Sequence, residues 1–496
     1  MNRVYSLENL RAGEVFDLLI IGGGATGLGV AVDAAARGYT VALLERGDFA
    51  GGTSSRSTKL VHGGVRYLRQ GDIKLVRTAL RERGLLVRNA PHLVRDLDFV
   101  IPAYGLTDLP FYGLGLKLYD ALAGPLSLGP SRILSRTETL EHLLNIEPAG
   151  LRGGVLYHDA QFDDARLAVT LALTANDHGA VLLNHAEVLE FTRENGRING
   201  VLARDRITGG DLSVRARCVI NATGVYVDAL RTLEAPAAAP LVSVSQGAHL
   251  VLPRSFLPGA SALMVPKTGD GRVLFAIPWR DRVLVGTTDT ARPAPEAEPR
   301  ALAWECAFLL DHARRYLAEA PSAGDVLSVF AGQRPLVRGK PGTETKSLSR
   351  DHAISIGPGG LLTVTGGKWT TYRAMAEEIV DLAAQVTGLP PKPCPTADLP
   401  LRASIPIRPG SEPLHRRLPY FEAEVRRAAR EEAAQTVEDV LSRRTRCLLL
   451  DAQAASACAP RVAAILAEEL GQNEAWIAAQ TAAFQTLAAG YLIPAG

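Results

Sequence analysis

The chain has 496 residues, 47% of them hydrophobic and 21% charged, which predicts roughly two to four domains around cores that need neither disulfides nor metals. That composition excludes a disordered chain, a collagen and a small disulfide scaffold. Lys+Arg is 54 and Asp+Glu is 52, a net charge of +2, so nothing suggests a nucleic-acid binder.

The first residues, Met1 to Glu14, lack the apolar core of a signal peptide. Phe16 to Ile21 is a short apolar run, as expected of a buried parallel strand. Gly22-Gly23-Gly24-Ala25-Thr26-Gly27 follows and reads G-x-G-x-x-G. Gly22 permits a tight turn, Gly24 lets the backbone approach a pyrophosphate, and Gly27 lets a helix pack close to the sheet. Leu28 to Arg37 predicts that helix, whose N-terminus offers free N–H groups to phosphates, with Ala25 and Thr26 in the turn. Gly38 ends it, Thr40 to Leu44 is the next strand, and Glu45 stands 18 residues past Gly27, placed to accept from ribose hydroxyls. An acid there repels a 2′-phosphate and argues against NADP. No second complete fingerprint is visible for a separate NAD site.

Thr53, Ser54, Ser55 and Ser57 form a hydroxyl-rich run able to wrap a pyrophosphate. Phe99 to Leu122 is rich in aromatics and Leu, and predicts either a packed cap or a lipid- or quinone-facing surface. Gly179 to Leu183 and Ala186-Glu187-Val188 predict a strand and turn on the adenine side. Arg217 to Asn221 is a strand ending in Ala222-Thr223-Gly224, a second approach to the dinucleotide. Ala235 to Pro253 lacks Asp, Glu, Lys and Arg over 19 residues, but Pro236 and Pro240 break it and it is not a membrane span. Ala248 to Leu252 predicts a strand, and Arg272 to Trp279 with Arg282 to Thr287 a hairpin turning at Arg280-Asp281. Leu361 to Val364, then Gly366-Gly367-Lys368, then a helix through Tyr372 and Ala376 form a second strand–glycine–helix unit. Leu389 to Pro400 is a Pro-rich linker, and Phe421 to Leu441, Thr445 to Leu450, Pro460 to Leu470 and Glu474 to Leu487 read as helices. Five scattered cysteines without C-x-x-C spacing predict no zinc site and fit a reducing cytoplasm.

The segment Gly52 to Leu68 (GTSSRSTKLVHGGVRYL) resembles the flavin-contact signature of FAD-dependent glycerol-3-phosphate dehydrogenases, within the D-amino-acid oxidase-like superfamily. The resemblance continues at Tyr157 to Leu167, Gly247-Ala248-His249, Ile277-Pro278-Trp279, Gly286-Thr287-Thr288-Asp289, Gly332 to Leu336, Ser349-Arg350-Asp351 and Gly366 to Arg373. It runs from about residue 14 to 380 and implies an α/β fold. A Rossmann-type FAD-binding domain is expected from 14–95, 150–240 and 345–390. An antiparallel β-sheet substrate or cap domain is expected from 96–149 and 241–344, and a C-terminal helical domain from 405–496.

By the same resemblance the cofactor is FAD and the reaction is oxidation of sn-glycerol 3-phosphate to dihydroxyacetone phosphate. Electrons pass to quinone, on a cytoplasmic chain in peripheral contact with the membrane and paired as a homodimer. Expected FAD contacts are Gly22, Gly24, Ala25, Thr26, Gly27, Glu45, Thr53, Ser54, Ser55, Ser57, Lys59, Leu60, His62, Gly63, Gly64, Glu187, Val188, Ala222, Thr223, Gly224, Gly367, Lys368, Trp369 and Thr370. Arg66, Tyr67, Arg334, Arg350 and Lys368 are expected to bind substrate, because a phosphate dianion calls for cationic donors. Arg334 and His249 are the expected catalytic pair, His249 as base because its ordinary pKa lies near neutrality. Competing readings are an oxidase passing electrons to O2, another D-amino-acid-oxidase-like enzyme, and a non-catalytic flavin or phosphate binder.

Overall fold

The structure, a computed structural model, describes residues 1–69, 71–266, 273–339, 351–403 and 412–494. Its first sheet grows from the apolar run at the N-terminus. The strand Val15–Ile21 buries Leu18, Leu19 and Ile20 completely. It pairs in parallel with Val41–Leu44 on one side and Asp211–Asn221 on the other. Val181–Leu183 and Leu362–Gly366 extend the parallel core outward. A parallel sheet is apolar on both faces and must be covered on both. The helices Ala25–Ala36, Asp164–Asp177 and Tyr372–Thr387 cover one of them, sharing one apolar cluster with its strands. The strands Ala186–Glu194 and Arg197–Asp205 return onto Asp211–Asn221 as an antiparallel meander.

The second sheet is mostly antiparallel. Its long strands Val94–Ala103, Gly153–Phe162, Val242–Pro253 and Ser328–Val337 are mostly buried. The expected hairpin is present as Leu274–Trp279 and Arg282–Gly286, with Arg280 at φ 54 in its turn. Ser328–Val337 lies against Val242–Pro253 in a register that sets Arg334 opposite Ser245 and Gly332 opposite Gly247. Leu60–Val61 and Gly153–Phe162 also join this sheet. The segments 14–95 and 150–240 therefore supply strands to both sheets, and the chain passes repeatedly between them.

The C-terminal part holds the helices Glu422–Glu431, Cys447–Leu450, Ala452–Leu470 and Glu474–Ala489. The helical pattern read from Phe421 to Leu441 is interrupted. Glu432 turns inward to Arg166 at 2.7 Å, and Ala433 takes a left-handed backbone at φ 55. The Pro-rich stretch after Gly388 is extended but pinned. Tyr39 donates to the Pro390 carbonyl at 2.6 Å and Asn89 to the Ala397 carbonyl at 3.0 Å. The segment Phe99 to Leu122 divides in two. Phe99 and Ile101 are core, whereas the helix Asp108–Ala123 turns Leu116 and Tyr119 inward and Phe111, Leu114 and Leu118 outward. No helix among the described residues is long and apolar enough to cross a membrane.

Candidate active site

A cavity of about 970 Å³ runs between the two sheets, at the upper end of the range for small-molecule and cofactor sites. One end is the glycine turn. Gly22, at φ +113, passes so close to Ala222 that a Cβ would lie 2.7 Å from its carbonyl oxygen. The helix that follows opens directly onto the cavity through Gly24, Ala25 and Thr26. Ser54 Oγ accepts from Ala25 N at 2.9 Å, bringing the hydroxyl run to the same helix end. Glu45 accepts from Gly23 N and Gly47 N, each at 2.7 Å, and burial raises its carboxyl pKa. Beyond it Arg46 lies 4.8 Å from the ring centroid of Tyr226, whose buried hydroxyl has no hydrogen-bond partner among the described residues. A free helix end, a hydroxyl-lined turn, an acid and an orphaned phenol along one elongated cavity fit a dinucleotide such as FAD.

At the other end the second strand–glycine–helix unit closes on the same loop. Gly366 and Gly367 both have positive φ, 81 and 70, and turn the chain into Trp369–Thr371. Trp369 donates to the Ser54 carbonyl at 3.0 Å, and Thr370 Oγ1 accepts from His62 N at 3.3 Å. Lys368 Nζ sits 4.0 Å from the ring centroid of Tyr67. Opposite, Arg334 donates to Thr287 Oγ1 at 3.0 Å, Thr288 O at 3.2 Å and Ser245 Oγ at 3.4 Å, and stands 3.6 Å from Asp289. Gly247 has no side chain because the Arg334 guanidinium and Thr287 hydroxyl occupy the space a Cβ would fill. His249 is 2% exposed and stacks on Phe330 at 4.7 Å. Its Nε2 shares a 2.9 Å hydrogen bond with Thr58 Oγ1, and Nδ1 has no hydrogen-bond partner among the described residues.

Most residues expected at the site line this cavity, including Tyr67, His249, Arg334, Lys368, Thr53, Ser57, Leu60, His62, Gly64, Glu187, Val188, Thr223 and Gly224. Four expected contacts do not line it. Gly27 sits behind the turn, where a Cβ would overlap the Gly22 carbonyl. Ser55 is turned inward and buried. Gly63 is not among the lining residues and donates to Tyr119 Oη at 2.8 Å. Lys59 is fully buried, bonded to Asp164 at 2.6 Å and the Ser55 carbonyl at 2.8 Å. Burial pushes its pKa down to about 7 against the pull of Asp164. Arg66 lies in the helix Val65–Arg69, its side chain outside the description, and Arg350 lies outside the described residues. The premise for His249 also changes. Burial first, then the charges of Lys59 and Arg334, hold its pKa well below the ordinary value of 6.5, so the imidazole is neutral at physiological pH. Thr58, Thr287 and Asp289 were embedded in matching motifs but not singled out; they are the direct partners of His249 and Arg334.

Residues 17–382 match the family of FAD-dependent oxidoreductases, and residues 369–477 match the C-terminal domain of alpha-glycerophosphate oxidase. A probable mitochondrial glycerol-3-phosphate dehydrogenase of Caenorhabditis elegans is 39% identical, covering 95% of this chain and 72% of that protein. The mitochondrial glycerol-3-phosphate dehydrogenase of Homo sapiens is 37% identical over 95% of this chain and 73% of its own. Among solved structures, the glycerol-3-phosphate dehydrogenase of Bacillus halodurans complexed with FAD superposes with a TM-score of 0.79 at 28% identity, covering 99% of this chain and 97% of that one. The FAD-bound L-alpha-glycerophosphate oxidase of Mycoplasma pneumoniae shares the fold, with a TM-score of 0.59 at 20% identity over 75% of this chain and 95% of that one.

Proposed function

The chain belongs to the FAD-dependent glycerol-3-phosphate dehydrogenases, and from that premise we propose that it oxidises sn-glycerol 3-phosphate at C2 to dihydroxyacetone phosphate inside this cavity. One observation carries the reading: an anchored guanidinium and a buried imidazole share the wall of a cavity whose far end is built for a pyrophosphate. FAD, when bound, supplies the acceptor for the hydride that leaves C2. Gly22, Gly24, Ala25 and Thr26 would hold its pyrophosphate, Glu45 its ribose, and the Thr53–Ser57 and Gly367–Thr370 turns the remainder.

The protein's own part is to bind, orient and move one proton. Arg334, braced by Thr287, Thr288 and Ser245 and paired with Asp289, presents its guanidinium to the phosphate dianion or the oxygen at C2. Lys368 supplies a second cation, and Tyr67 packs beneath it. Arg66 and Arg350 complete the set by their positions in the matching motifs. His249 takes the C2 hydroxyl proton as the carbonyl forms. Its depressed pKa keeps it unprotonated, and a substrate dianion beside it offsets the two neighbouring cations and strengthens it as a base.

The electrons pass on to a quinone at a membrane surface. Two observations support this. The helix Asp108–Ala123 exposes Phe111 at 58% and Leu114 at 77%, and Leu106 just before it is 79% exposed. Phe99, Tyr157, Met264 and Phe275 give the cavity an apolar side, and Tyr157 packs edge-on against Tyr119 of that helix at 6.2 Å. The deciding experiment is turnover of glycerol 3-phosphate with a soluble quinone and with air. Dihydroxyacetone phosphate formed with the quinone and without peroxide supports the dehydrogenase. Stoichiometric peroxide in air supports an oxidase, and no product in either supports a binding protein.

A further inference from the structure

The C-terminal segment reaches the active-site loop through a fully buried charge network. Arg446 is 1% exposed and its backbone is left-handed at φ 68, which turns its side chain back beneath the cavity. Its guanidinium donates to Ser442 O at 2.8 Å, Ser55 O at 2.6 Å and Asp164 Oδ1 at 3.0 Å. Asp164 uses its other oxygen to accept from Ser57 N at 3.0 Å, Ser57 Oγ at 2.7 Å and Lys59 Nζ at 2.6 Å. Residues 55, 57 and 59 are therefore all held from below. Thr58, between two of them, lines the cavity beside Ser57 and meets His249 Nε2 at 2.9 Å. Phe330 links the two sides, stacked on His249 and with Lys59 Nζ 5.1 Å from its ring centroid.

Arg446 does not line the cavity. Burying a guanidinium and a carboxylate is costly, and a well-packed apolar pair often serves stability as well or better. What this pair adds is direction, because a planar fork fixes a carbonyl and a carboxylate together.

We propose that Arg446 is a positioning residue for the reaction: through Ser55 and Asp164 it sets the 55–59 loop so that Thr58 holds the His249 imidazole at the cavity wall. The proposal rests on the functional reading above and gives the C-terminal helices a share in the chemistry.

The test uses FAD-loaded full-length protein mixed anaerobically with glycerol 3-phosphate. It reads the limiting rate of flavin reduction and the half-saturating substrate concentration. R446M is expected to keep its FAD and its half-saturation within about threefold while the limiting rate falls ~10–100-fold, as expected of roughly ångström-scale misplacement. R446K, able to meet one acceptor at a time, recovers part of that loss. Combined with His249→Ala, the losses are less than additive, because both act through one side chain. A folded, FAD-loaded R446M that reduces flavin at the wild-type rate overturns the proposal. If R446M does not fold, R446K and S57A probe the same link, and wild-type rates in both overturn it. If His249→Ala is silent, the base assignment fails and so does the Thr58–His249 route; a slow R446M with full FAD beside a wild-type rate in His249→Ala therefore overturns the proposal.

Discussion

Gly247→Ala separates the chemistry of the site from the stability of the fold. Gly247 lies in the strand Val242–Pro253, opposite Gly332, and its backbone is not in the left-handed region, so alanine adds no backbone strain. In a strand interior that exchange favours folding by roughly 0.5–1 kcal/mol. The added methyl, however, overlaps the Arg334 guanidinium and the Thr287 hydroxyl. To regain van der Waals separation, normally about 3.5 Å or more, the guanidinium must shift by about 1 Å. A displacement of that size at a binding fork costs on the order of 10²-fold in rate, about 2.8 kcal/mol. The assay is kcat/KM for glycerol 3-phosphate with a soluble acceptor, alongside FAD content and thermal midpoint. The expected variant is as stable as the parent, fully loaded with FAD, and slower by about that factor. Turnover within threefold of the parent would refute the placement of Arg334 as the substrate-binding fork.

Removing the fork altogether, in Arg334→Ala, is expected to leave FAD bound and to lower kcat/KM by ~10²–10³-fold, since it deletes charge-assisted hydrogen bonds totalling about 3–4 kcal/mol. His249 gives a pH-dependent stability with a definite sign. Its folded pKa lies below the unfolded value of 6.5, so its contribution is complete above 6.5 and is lost as pH falls beneath it, where the unfolded chain takes up the proton first. Thermal midpoints at pH 7.5 and 5 should therefore differ more in the parent than in His249→Phe. In Phe111→Asp/Leu114→Asp, binding to anionic lipid vesicles should fall while turnover with a soluble acceptor stays within twofold, because neither side chain reaches the cavity.

The cofactor end was legible because its physics is local. The strand, the glycine turn, the helix end and Glu45 lie within about thirty consecutive residues, and each residue type answers to its own backbone geometry. Arg334 and Lys368 were reachable through the motifs around them. What sequence could not supply was depth. Lys59 carries a charge and sits among hydroxyls, yet its backbone at φ 63 turns it into the core toward Asp164, 105 residues away. Arg446 and Ser55 are separated by 391 positions, so no periodicity or spacing links them. The break after Glu431 was equally silent, because Ala433, not glycine, adopts the left-handed turn. The depressed pKa of His249 follows from burial and two cations brought together only by the second sheet.

The most direct measurement is the visible absorbance of the FAD-loaded protein after anaerobic mixing with glycerol 3-phosphate. The flavin band should bleach with that compound and persist with glycerol, which lacks the phosphate for which the cationic wall of Arg334 and Lys368 is proposed. A band unchanged by glycerol 3-phosphate, or a purified chain that takes up no FAD, would contradict the assignment.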